Sequence, residues 1–175
     1  MPSPHNKKIA ASAIIAGILA AAAAFAAPPA APDVSNAQIV VVPHPYDEDA
    51  DAHAQVAAAL AAAKLNGKRV LLDFGGNWCL DCKVLAGLME IEQVKHFMKE
   101  HYEVVSIDVG RYKKNMDIAA DHGITVKGAP TVLVLNADGT LVNATNSQDL
   151  TDARHMNPQG IADYLAQWAP AKSGS

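Results

Sequence analysis

The stretch GGNWCLDCK, residues 75–83, holds the only two cysteines of the 175-residue chain, Cys79 and Cys82, with Trp78 directly before the first. Two thiols three positions apart can serve as a staple, as half of a metal site, or as a pair that exchanges electrons with other thiols. A disulfide closing so short a loop removes little chain entropy and contributes little as a staple. A structural zinc needs four ligands. There is no second CxxC, and His96, His101, His122 and His155 are dispersed, the first two expected on the solvent face of a helix. Covalent haem attachment needs a histidine after the second cysteine, where Lys83 stands. Redox exchange has positive support. A cysteine in a first helical turn faces unpaired amides and the positive end of the dipole, and both stabilise thiolate. Cys79 is expected at that turn as the exposed attacking sulfur, and Cys82 one turn further in as the resolving thiol.

The elements that would position the pair follow from pattern. RVLLDF (69–74) reads as a buried strand bounded by glycines, and the alanine-rich run from Asp51 to Lys64 as a helix stopped by Gly67. The acidic run Asp47, Glu48, Asp49 and Asp51 beside His53 is read as helix-start capping rather than as a metal cluster. After the cysteines, residues 83–101 carry Val84, Leu85, Leu88, Ile91, Val94, Phe97 and Met98 at helical spacing, as one long helix. YEVVSIDV is a second strand, KNMDIAADHG a short helix, and PTVLVLNADGTLV a hairpin turning at residues 136–140. NPQGIADYLAQWA is a last helix with Asn157 as cap and Pro158 at its first position. This order predicts an α/β sandwich, a mixed central sheet flanked by helices. The cysteines fall where the first central strand meets its helix, the place where open α/β sheets build their sites.

One domain plus extensions suits this length. Half the residues are hydrophobic but only 5% aromatic, and the net charge of -4 offers no basic stripe for nucleic acid. The start has three parts: a positive stretch with Lys7 and Lys8, an apolar run, and small residues around Ala24 and Ala26. That is the layout of a secretory signal over residues 1–26, with an uncleaved membrane anchor as the alternative. Residues 27–46 read as a Pro/Ala-rich linker and N-terminal extension, with Ile39–Val42 as a short strand; residues 47–170 form the domain and 171–175 a tail. An exported chain would meet an oxidising compartment, where a two-cysteine protein is stapled or redox-active.

LLDFGGNWCLDCK resembles the active-site segment of the thioredoxin superfamily, and GAPTVLVLNADG resembles that family's later loop and hairpin. The resemblance spans roughly Asp51 to Ala169 and implies a thioredoxin-like sandwich. It implies Cys79 as nucleophile, Cys82 as resolving cysteine, and Asp73 as a buried carboxyl that takes the resolving thiol's proton. It further implies substrate contacts from Trp78, from the backbone of Ala129, and from Pro130 as a cis-proline. Departures are visible as well. Leu80 and Asp81 fill the gap between the cysteines, and Asp81 would place a negative charge beside the thiols and oppose thiolate. Val104 stands near the position of the family's lysine partner to the buried aspartate. Gly87 replaces a helix-kinking proline, and residues 144–156 form a longer polar stretch, expected as a surface loop.

The resulting expectation is an exported, periplasmic thiol-disulfide oxidoreductase acting on cysteine-containing proteins. It would need no cofactor, favour the reducing direction, and draw electrons from a membrane-bound donor. The second class is a copper(I) metallochaperone on the same fold, since thiolates select that metal. Met89 and Met116 are the available methionines for such a site, though both fit a core better.

Overall fold

The computed structural model describes residues 27–171. The leader expected over residues 1–26 lies outside them, as does the tail beyond residue 171. Three strands form the sheet: β1 (Arg69–Gly75), β2 (Tyr102–Asp108) and β3 (Thr131–Leu135), in the order β2-β1-β3. β1 runs parallel to β2 and antiparallel to β3, so the sheet is mixed, as the element order predicts. The helices are α1 (Ala52–Asn66), α2 (Leu80–Met89), α3 (Glu92–His101), α4 (Met116–Ala120) and α5 (Pro158–Gln167). Among the described residues no helix is long and apolar enough to cross a membrane.

Alternation along β1 sorts the two faces. Val70, Leu72 and Phe74 point to one side and pack with Ala59 and Ala63 of α1 and with Ile118 and Ala119 of α4. Leu71 points to the other and packs with Leu85 and Leu88 of α2, Phe97 of α3 and Ile161 of α5. Asp73 and Gly75 share the parity of Leu71, so strand geometry aims them at the side on which the cysteine-bearing helix lies.

Local chemistry fixes the ends. The Asp51 carboxylate accepts from Ala54 N at 3.0 Å and caps α1, and Gly67 closes it at φ 74°. Asn157 caps α5 with Pro158 in its first turn, as expected. The expected long helix is instead two. Ile91 is extended (φ -64°, ψ 129°), which redirects the axis and lets Val94, Phe97 and Met98 reach the core that Leu85 and Leu88 occupy. That turn also buries His101, expected to face solvent, against the Phe97 ring at 4.5 Å; His96 is exposed.

The hairpin is half formed. Its turn is present, with Gly139 at φ 88°, but the return strand is a single bridge from Leu135 to Leu141. Beyond it the Asn143 side chain acts as backbone would, accepting from Val134 N and donating to Val132 O, both at 2.8 Å. Residues 144–156 lie largely at the surface, as expected of a loop, and are anchored to the core by buried Ser147, Leu150 and Ala153.

Residues 27–46 contain no helix or strand, so Ile39–Val42 is not the short strand expected, yet the segment is held against the core. Val34 is 3% exposed, and its N–H donates to the Gln159 side chain at 2.8 Å. The segment then crosses α2, where Val42 N donates to Lys83 O. Gly87 accommodates that crossing. A Cβ there would collide with the Val40 carbonyl oxygen and lie 2.9 Å from the Ile39 side chain. In an ordinary helix Gly→Ala gains about 1 kcal/mol. Gly87→Ala should instead cost about 1–3 kcal/mol through this overpacking, read as a lowered urea midpoint with an unchanged slope.

Candidate active site

Cys79 is the N-cap of α2, and Cys82 lies one turn in. The two form a disulfide. Cys82 N donates to Cys79 Sγ at 3.1 Å, so the cap residue's sulfur takes the place of the usual oxygen acceptor. Cys82 is fully buried. Cys79 keeps only 5% exposure, far less than an exposed attacker was expected to have. Part of its cover is the loop ahead of β3: the Ala129 carbonyl oxygen lies 3.3 Å from Cys79 Sγ, and the Ala129–Pro130 bond is cis. Leu80 and Trp78 remain open beside it, at 47% and 37%.

Asp73 is not exposed at a strand end. It is 1% accessible, beneath the helix start, and its Oδ2 accepts from the Tyr46 hydroxyl at 2.7 Å. Oδ1 is buried with no hydrogen-bond partner among the described protein atoms. Burial disfavours the charged form and, against the opposing Tyr46 bond, pushes the Asp73 carboxyl up to about 7. The same burial, with the Asp73 charge second, drives the Tyr46 phenol far above its ordinary range.

The other motif residues have local reasons. A Cβ on Gly75 would sit against the Tyr46 hydroxyl and 2.7 Å from Cys82 Sγ; one on Gly76 would be 2.5 Å from the Trp78 indole nitrogen. Asn77 pairs with the backbone of Tyr46 in both directions, accepting from its N–H at 3.1 Å and donating to its carbonyl at 3.0 Å. Asp81 does not simply load the thiols with negative charge. It is buried, accepts from Arg154 N at 2.9 Å and meets the Arg154 guanidinium at 3.4 Å.

The comparisons with known proteins agree with this geometry. The thioredoxin-like family profile matches residues 51–137. A disulphide isomerase from Xylella fastidiosa Temecula1 is 41% identical, with a TM-score of 0.67, over 70% of this chain and 95% of that one. The chain belongs to the thioredoxin-like family. The thiol-disulfide oxidoreductase ResA of Bacillus subtilis is 33% identical over 55% of this chain and 51% of its own length. The thiol:disulfide interchange protein DsbD of Vibrio cholerae is 30% identical over 65% of this chain and 18% of its own. The chain thus spans about half the length of the first of these curated relatives and less of the second.

Within this thioredoxin-like site the structure gathers all six residues expected from sequence and adds others. Tyr46 joins Cys79, Cys82 and Ala129 in one buried cluster, although it comes from the extension. Gly110, Arg111 and Tyr112 are consecutive residues with positive φ (49°, 55° and 64°). Two are not glycine, a conformation that costs energy unless the surroundings impose it. They bring the Arg111 guanidinium 5.3 Å from the Trp78 ring centre and Tyr112 edge-on to it at 5.5 Å. None of these residues was expected from sequence; the one local signal available was Gly110, a residue type that suits a positive φ. Met89 packs with the α2 and α3 side and Met116 with the α1 and α4 side. Among the described residues no group of three His, Cys, Asp or Glu is placed to hold a metal.

Because the folded Asp73 binds its proton more tightly than the unfolded chain does, its contribution to stability is full below about pH 4 and lost as pH rises through about 7. The melting temperature of the disulfide form should therefore fall as pH rises from about 4 to about 7, with no further loss from this group above about pH 8. Asp73→Asn should flatten that fall, by about 2–4 °C for each kcal/mol recovered. Parallel curves for the two proteins in calorimetry would refute the buried-carboxyl assignment.

Proposed function

We propose that the protein is a thiol-disulfide oxidoreductase that exchanges electrons with cysteines of other proteins. The observation that carries this reading is a helix-cap sulfur in disulfide with a fully buried partner, above a buried carboxyl poised near neutrality. The names of the relatives, an oxidoreductase, an interchange protein and an isomerase, support the same chemistry.

In the reducing direction the Cys79 thiolate attacks a partner's disulfide, forming a mixed disulfide and releasing one partner thiolate. Cys82 then gives its proton to Asp73, and its sulfur attacks Cys79 Sγ. The bond from Cys79 to the partner breaks, the electron pair leaves on the partner's second sulfur, and the Cys79–Cys82 disulfide remains. Two electrons have passed to the partner. Trp78 and Leu80 offer apolar surface for docking, with the Ala129 backbone and cis-Pro130 beside the sulfur.

The reducing direction rests on the surroundings of Cys79, where one backbone N–H at 3.1 Å is the hydrogen bond the sulfur accepts and a raised carboxyl lies below. Pairing with Arg154 takes away most of the weight that Asp81 carried in the sequence argument. We further propose export to the periplasm through the leader at residues 1–26 and re-reduction by a membrane-bound donor. Both rest on the sequence alone. Copper(I) capture is not favoured, since both methionines pack into the core clusters.

In an insulin-reduction assay Cys79→Ser should abolish turnover, and Cys82→Ser should accumulate mixed disulfides; full turnover by either variant would overturn the assigned roles. Equilibration with glutathione should give a potential nearer to that of thioredoxin, about -270 mV, than to the about -120 mV of a strong periplasmic oxidant. A value at the oxidising end would reverse the direction proposed.

A further inference from the structure

The hydrogen bonds around Asp73 divide its two oxygens unequally. Oδ2 is occupied by the Tyr46 hydroxyl at 2.7 Å, and Oδ1 has no partner among the described protein atoms. The hydroxyl and Cys82 Sγ lie on the same side of Gly75, both crowding the place where a Cβ would be. Tyr46 is not left to find this position by itself. The Asn77 amide brackets its peptide N–H and carbonyl at 3.1 and 3.0 Å and also donates to Glu48 at 2.9 Å. Asn77 belongs to the cysteine motif itself, two residues before Cys79. One short loop therefore carries both the sulfurs and the clamp for the tyrosine that touches their carboxyl.

We propose that Tyr46, clamped by Asn77, is a positioning residue for the resolving step. Its hydroxyl holds Oδ2 of Asp73 so that Oδ1 is the oxygen that exchanges a proton with Cys82. The proposal rests on the oxidoreductase reading above and goes beyond it by making the N-terminal extension part of the site. The step balances as before: the Cys82 proton goes to Asp73 Oδ1, the new bond forms to Cys79 Sγ, and the partner sulfur leaves with the electron pair. A hydroxyl donated to a carboxylate favours its charged form, so Tyr46 keeps Asp73 available as a base at lower pH than burial alone would allow.

Other groups facing this centre are few. From β2, Asp108 acts on the Tyr46 hydroxyl and is itself 3.4 Å from Lys114. The residues opposite Asp73 are Ser106 on β2 and Val132 on β3, neither of which titrates in the working range. From α2 come the two cysteines, and from the extension Glu48, at the Asn77 amide.

The test is stopped-flow reaction of the reduced full chain with 5,5′-dithiobis(2-nitrobenzoate), which separates attack by Cys79 from release of the second chromophore by Cys82. Tyr46→Phe should move the acid limb of the second phase up by roughly one pH unit, about tenfold slower near pH 6, and leave the limb of the first phase in place. Asn77→Ala should move it in the same direction by less. In an Asp73→Asn background Tyr46→Phe should add nothing. The proposal is overturned if folded Tyr46→Phe protein gives a second-phase profile that superimposes on the parent's. It is equally overturned if the shift persists without the Asp73 carboxyl. Failure of the parent protein to reduce insulin would instead count against the oxidoreductase reading, while the two-phase profile would still decide the role of Tyr46.

Discussion

A carboxyl buried under a sheet is costly, and the site is organised around making that cost tolerable without removing it. Asp73 stands on the central strand, 1% exposed, with one hydrogen bond from Tyr46 and one oxygen without a partner among the described residues. A lysine or arginine in direct contact would have turned it into an ordinary ion pair with a low pKa. Val104, at the position where a lysine partner was sought, is instead an exposed side chain on the edge strand. The carboxyl is left with a weaker donor, and it titrates near neutrality. That tuning is what lets a group beneath the sulfurs accept and return a proton in the proposed exchange.

Much of the fold was legible because its signals are local. Asp51 and Asn157 cap helices by hydrogen bonds within three residues, Gly67 ends α1 with a positive φ, and RVLLDF is apolar enough to be central. What stayed hidden depends on partners distant in sequence. No breaker marks Ile91, and the change of direction there serves core packing. Arg154 reaches Asp81 across 73 positions, so a charge counted against the thiols turned out to be paired. Asn143 looks like a loop residue until its amide is seen completing the edge of β3.

The same division runs through the site. The cysteines, Trp78, Asp73 and the Ala129–Pro130 pair could be named from motif and resemblance, since the family's chemistry concentrates there. Tyr46 could not. It sits in a stretch whose prolines and acids suggested a connection, and only the three-dimensional path over Gly87 brings it to the carboxyl. The two glycines of the motif make sense in the same way. Gly75 leaves space for a phenol and a sulfur, and Gly76 for an indole, so the loop is shaped as much by what it must admit as by the turn it makes.

The central claim is that Asp73 holds its proton near neutral pH because it is buried with a single neutral donor. The most direct measurement is the carboxyl carbon shift of Asp73 in the labelled disulfide form, followed through a pH titration by NMR. The account expects a midpoint at about 7. A midpoint in the ordinary aspartate range, about 4, would contradict it.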